Sequence, residues 1–149
     1  MIEKLLNRET IEVNIAAEGW EDAVRSGGAL LRKVGKIESS YIDAMVENVK
    51  ELGSYIVIAK GIAMPHARPE KGARDIGLSL VTLKKPICFG NIENDPVKAI
   101  ISFCAKDSTS HLEILSELMD LFEDEQFQQL IYTAKAKEEI IDYIKNKKY

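Results

Sequence analysis

Two histidines, His66 and His111, are the side chains of this chain best suited to chemistry. Imidazole offers a neutral lone pair and a transferable proton together near neutral pH. Both fall where an expected connection meets a regular element, and connections held by a rigid scaffold are where reactive groups are displayed. His66 lies in the segment Gly61-Ile62-Ala63-Met64-Pro65-His66-Ala67-Arg68. Pro65 confines Met64 to extended backbone and stiffens the approach to the histidine. Gly61 permits an unusual backbone angle, while Ala63 and Ala67 are small enough for a partner or a phosphate to approach the main chain. Two residues beyond His66, Arg68 offers a planar fork of donors suited to phosphate oxygens. His111 is expected near the start of a helix whose cap includes Asp107 to Ser110. The positive end of a helix dipole there favours the neutral ring and can hold a negatively charged phosphoryl group.

The elements that must position these residues follow from hydrophobic periodicity. Ile11-Glu12-Val13-Asn14-Ile15 alternates as a half-buried strand does. Ala23, Val24, Leu30, Leu31 and Val34 recur at helical spacing, with Gly27-Gly28 as a weak point and Gly35 as the stop. Ser40 with Asp43 marks a second helix start; Ile42, Met45, Val46 and Val49 form its face, and Gly53 its end. The pattern then changes to Tyr55-Ile56-Val57-Ile58-Ala59, a β-branched run expected as a strand covered on both faces and leading directly into the His66 segment. Strands are expected at 76–83 and 97–105, separated by turn chemistry at Lys84-Lys85-Pro86 and Asn94-Asp95-Pro96, with a minor strand at 87–89. Ser110 and Glu113 suggest a capping box, followed by a stripe of Leu112, Leu115, Met119 and Phe122. Shorter helices are expected over 126–132 and 137–145. Strands interleaved with helices imply a single α/β domain spanning 1–149, with a mixed, mainly parallel sheet of about four to five strands flanked by helices.

The chain has 149 residues, 46% hydrophobic and 30% charged, which is ordinary for one globular domain with a real core. A formal net charge of −4 argues against a general nucleic-acid binder, which needs a basic field. The basic end at Lys145, Lys147 and Lys148 reads as a solvated helix terminus. No stretch approaches the roughly 20 apolar residues that span a bilayer, so a cytoplasmic protein without direct membrane insertion is expected. Cys88 and Cys104 sit in apolar neighbourhoods and are expected as buried, reduced thiols.

The motif Gly61-Ile62-Ala63-Met64-Pro65-His66 resembles the active-site motif of the mannitol/fructose-type IIA components of the bacterial phosphotransferase system, and the chain most resembles their ascorbate branch. The similarity runs along Trp20-Glu21-Asp22-Ala23-Val24, Tyr41-Ile42-Asp43-Ala44-Met45, residues 63–70, Leu80 to Pro86, Asn94 to Val97 and Leu121 to Glu125. It therefore covers essentially the whole chain. The resemblance implies that His66 accepts a phosphoryl group from the histidine phosphocarrier protein HPr and passes it to a cysteine of a IIB component, serving a membrane IIC transporter indirectly. It also implies that His111 lies beside His66 in support. The sequence has Asn48 where mannitol-type members carry an arginine, and Arg68 is the candidate to supply that charge.

The chemistry suits these residues. One ring nitrogen attacks in line while the other keeps its proton and is oriented by an acceptor, and phosphoryl transfer asks mainly for alignment and for stabilisation of negative charge. Backbone donors around Ala67, with Arg68 and His111, are expected to hold the phosphoryl group. Neither a metal nor another cofactor is required. Two other readings differ in class. A regulatory module could use the same phosphohistidine to control a partner; a zinc hydrolase built on His66, His111 and Glu113 is disfavoured, because residues two apart on a helix point to different sides.

Overall fold

The computed structural model describes residues 1–107 and 111–147. Its elements run α1 (Ile2–Leu5), β1 (Ile11–Ile15), α2 (Trp20–Lys33), α3 (Ser39–Leu52), β2 (Val57–Ala59), β3 (Ile62–Ala63), β4 (Gly77–Ile87), β5 (Val97–Cys104), α4 (Leu112–Glu123), α5 (Glu125–Thr133) and α6 (Lys137–Asn146). The five strands form one sheet in the order β1-β4-β5-β3-β2. The sheet is mixed as expected, with parallel (β1·β4, β3·β5) and antiparallel (β4·β5, β2·β3) pairings in equal number. The single α/β layer system has helices on both faces. Leu78, Leu80, Ala99 and Ile101 face α1, α4, α5 and α6, while Val81, Leu83 and Ile100 face α2 and α3. With both faces covered, every residue of β5 is buried, which is why its sequence is mostly apolar, interrupted only by Lys98 and Ser102.

Several elements depart from the sequence expectation for identifiable reasons. Lys84-Lys85-Pro86 is part of β4 and not a turn. The β4–β5 register shifts between Thr82 and Ile87, so Pro86 stands where the ladder is interrupted and its missing N–H costs little. The run from Tyr55 is only half strand: Gly53–Ile56 is a 3-10 turn, β2 is the sheet edge, and Tyr55 is 83% exposed. The buried stripe of α4 is Ile114, Leu118, Leu121 and Phe122, whereas Leu112 is 68% and Met119 43% exposed. That helix carries apolar residues on more than one face, and spacing alone cannot choose between them. Cys104 is buried, but Cys88 is exposed beyond the end of β4; both thiols are free. The expected Ser110 cap lies outside the described residues, as does Lys148.

The Gly27-Gly28 pair does not break α2, because Gly27 lets the helix lie close on the sheet and Gly28 lets it lie close on Ile42 and Met45 of α3. A Cβ at Gly27 would stand 2.5 Å from Ser102 Oγ, and Ser79 Oγ donates to the Gly27 carbonyl at 2.8 Å. The one-turn helix α1 is too short to be marked by periodicity or to persist by itself. It is anchored by Ile2, fully buried between α4 and α6, a burial that contributes about 1.5–3 kcal/mol.

Candidate active site

The His66 loop begins at the β2–β3 turn. Gly61 adopts φ +74°, and the hydroxyl of Tyr132 would stand 2.8 Å from any Cβ there, so both backbone angle and space demand glycine. From Gly61 the chain enters β3, which pairs parallel to β5 through Ile62 with Ala99 and Ala63 with Ile100. The loop continues alongside β5, where the Phe103 N–H donates to the Pro65 carbonyl at 3.0 Å.

The imidazole of His66 is half-buried, and its Nδ1 lies 2.9 Å from the Met64 carbonyl oxygen. A carbonyl can only accept, so Nδ1 carries the proton and the lone pair is left on Nε2. Helix α3 secures the backbone on either side. Asn48 Nδ2 donates to the His66 carbonyl at 2.9 Å, and the hydroxyl of Tyr41, two turns earlier on the same face, accepts from the Ala67 N–H at 3.0 Å. The Tyr41 hydroxyl also faces the carbonyls of Phe103 at 2.9 Å and Ala67 at 3.1 Å. The carbonyls of Met64, Pro65 and His66 each have a donor within the fold, that of Ala67 shares the single Tyr41 proton with the Phe103 carbonyl, and that of Arg68 accepts from the Lys71 N–H at 3.0 Å.

The expected anion donors divide. The Ala67 N–H is taken by Tyr41. Arg68 is exposed, and its guanidinium makes no hydrogen bond or ion pair among the described residues. It lines a cleft of about 580 Å³ between α3 and residues 67–71, together with Asn48, Ala67, Lys71 and the carboxylates of Glu47 and Glu70. Asn48 does not replace the charge of an arginine; its amide is committed to the loop backbone.

His111 occupies the N-cap position of α4, where its carbonyl accepts from the Leu115 N–H at 3.0 Å. Its ring packs at a tilt of 55° on Phe103, with centroids 5.3 Å apart. Phe103 thus touches both histidine segments, binding Pro65 through its N–H and His111 through its ring. The His111 Nδ1 is enclosed without a hydrogen-bond partner among the described residues. A proton placed there would have no acceptor, so a neutral ring carries it on Nε2 as a donor. Among the described residues no cluster of three or more His, Cys, Asp or Glu side chains could hold a metal, and no helix is long and apolar enough to cross a membrane.

Tyr41 and Phe103 are the positioning groups that the sequence did not single out. A tyrosine on an otherwise apolar helix face was the available signal, since a buried hydroxyl needs a partner.

The chain matches the family model for the phosphoenolpyruvate-dependent sugar phosphotransferase system, EIIA 2, over residues 4–147. It is 38% identical over 143 residues to the ascorbate-specific PTS system EIIA component of Escherichia coli K12, covering 95% of this chain and 93% of the relative. Among solved structures, the mannitol-specific cryptic phosphotransferase enzyme IIA of Escherichia coli superimposes with a TM-score of 0.87 at 31% identity, over 98% of this chain and 99% of that one. Enzyme IIA of mannitol from the same organism, in a complex with phosphorylated enzyme IIB, shares the fold with a TM-score of 0.83 at 22% identity, over 96% of this chain and all of that one. A matched family model over nearly the whole chain, with this conserved fold around an oriented imidazole, makes the protein a member of the type 2 EIIA family and a phosphoryl-transfer component of the phosphotransferase system.

Proposed function

We propose that His66 Nε2 is the phosphoryl acceptor, loaded by HPr and discharged to a cysteine of a IIB component, in the uptake of an ascorbate-like sugar through a membrane IIC transporter. The observation that carries this reading is the Nδ1–H bond of His66 to the Met64 carbonyl, which fixes the tautomer and leaves the lone pair on Nε2. In the first step the N–P bond of phospho-HPr breaks as the N–P bond to Nε2 forms. In the second, the IIB thiolate attacks phosphorus and the electron pair of the breaking bond returns to Nε2. The ring never needs to lose its Nδ1 proton, whose carbonyl partner stabilises the positive charge that ring acquires as it is phosphorylated. The Arg68 guanidinium, His111 Nε2–H and the Arg68 main-chain N–H supply donors to the phosphoryl oxygens, whereas Ala67 contributes through loop shape. No metal or other cofactor takes part, and the chain works in the cytoplasm.

The 38% identity to ascorbate-specific EIIA supports the sugar class. The test is transfer: protein labelled through phosphoenolpyruvate, enzyme I and HPr is offered ascorbate-type and mannitol-type IIB proteins. Label passing preferentially to the ascorbate-type IIB, and not to its Cys→Ser variant, is expected. Preference for the mannitol type would overturn the sugar assignment, and label stranded on His66 with both would favour a regulatory module.

A further inference from the structure

Tyr41 is 1% exposed, and its phenol is the meeting point of three backbone groups. It accepts from the Ala67 N–H, and its single proton faces the carbonyls of Phe103 and Ala67. One oxygen therefore joins the peptide that follows His66 to the strand residue whose ring packs on His111. Burial pushes the Tyr41 phenol up from its ordinary value, so it stays protonated at any working pH and remains a donor as well as an acceptor. The bonds also decide which donors the site exposes. With the Ala67 N–H turned inward to Tyr41, the segment presents Arg68 to an anion instead of the Ala67 peptide.

Resting on the phosphocarrier reading above, we infer that Tyr41 is a positioning residue for phosphoryl transfer: its hydroxyl pins the Ala67 peptide to β5, so that His66 and His111 hold one mutual orientation. It touches no reacting atom. Its loss leaves the aromatic ring in the core but frees the Ala67 peptide to rotate, and the direction of the His66 ring drifts with it.

The test is Tyr41→Phe, which removes one oxygen. With wild-type protein shown to be active, the maximal rate of phosphorylation by phospho-HPr should fall ~10- to 100-fold, the effect of misaligning a reacting group by about an ångström. The HPr concentration at half-saturation should not change, because Tyr41 is buried away from any docking surface. In parallel, hydrogen exchange should show the Ala67 amide protected in the wild type and exposed in the variant. A folded Tyr41→Phe protein with the wild-type maximal rate would overturn the inference. So would an Ala67 amide that exchanges freely in the wild type, and that result decides the matter alone if the variant does not fold. Wild-type protein that accepts no phosphoryl group would instead sink the phosphocarrier reading itself.

Discussion

Asn48→Ala separates the stability of α3 from the positioning of His66. The substitution removes the 2.9 Å bond from Asn48 Nδ2 to the His66 carbonyl. The net contribution of such a bond to stability is about 0.5–1.5 kcal/mol. Asn48 also lies inside the 14-residue helix α3, where alanine is the better helix former by about 0.6 kcal/mol. The two effects oppose, leaving a net destabilisation of about 0–1 kcal/mol, or a fall in Tm of at most about 4 °C for a chain of this size. Catalysis has no such compensation. Freed of its clamp, the His66 carbonyl lets the peptide turn, and phosphorylation by phospho-HPr should slow about tenfold, equivalent to about 1.4 kcal/mol of barrier. Thermal unfolding and single-turnover transfer, measured on the same preparation, give both numbers. A wild-type transfer rate would refute the claim that Asn48 orients the loop. A fall of 10 °C or more would show that the bond supports the whole fold and not the site alone.

Three further outcomes are expected. Gly27→Ala should destabilise by about 1–3 kcal/mol, because the new Cβ would meet Ser102 Oγ; in a Ser102→Ala background, which also removes a buried hydroxyl without a partner among the described residues, urea titration should show that cost largely abolished, and simple additivity would contradict the packing account. Lys98, whose ammonium donates to the Leu83 carbonyl and lies 6.0 Å from the Tyr132 ring centroid, is held below the ordinary lysine value by burial. A depressed lysine disfavours the folded state while it is charged, and that penalty is relieved as pH rises from the folded value through the unfolded one. Lys98→Met should therefore gain stability at pH 7 and lose that advantage in alkali; an advantage that grows with pH would be the wrong sign. Asp124 caps α5 through the N–H groups of Gln126 and Phe127. Burial pushes its carboxyl up, but hydrogen bonds from Tyr143, Lys147 and the Gln126 N–H outweigh that effect and hold it below the usual carboxylate range. Its stabilisation is complete above the unfolded carboxylate value, near pH 4, and is lost as pH falls through the lower folded value. Asp124→Ala should cost about 1 kcal/mol at pH 7 and less at pH 2, as followed by circular dichroism; a cost independent of pH would exclude a charged cap.

The legible parts of the fold were those where one physical signal dominates. The alternation of Ile11–Ile15, the apolar run of Val97–Cys104 and the face of α3 each correspond to a single burial environment, and the structure places them as strand, strand and helix. Legibility failed where two signals compete. At Lys84-Lys85-Pro86 the turn chemistry is overridden by strand pairing on either side of an irregularity. On α4 the apolar residues outnumber the buried positions, and packing into the core cluster shared with α1, α5 and the sheet selects Ile114 and Leu118 over Leu112 and Met119. Around the site, the motif pointed to His66, Gly61 and Arg68, but it could not show that the Ala67 N–H faces inward. That depends on Tyr41, 26 residues away in sequence. Likewise the character of Asn48 as a backbone clamp is visible only once α3 is packed against the loop.

The central claim is that His66 Nε2 carries the phosphoryl group. The direct measurement is incubation with phosphoenolpyruvate, enzyme I and HPr, followed by mass spectrometry under alkaline conditions that preserve phosphohistidine and by ³¹P–¹⁵N correlation to identify the nitrogen. One phosphoryl group on Nε2 of His66, absent from His66→Ala, is the predicted result. Phosphate on His111, on Nδ1 of His66, or nowhere in the presence of active phospho-HPr would contradict the account.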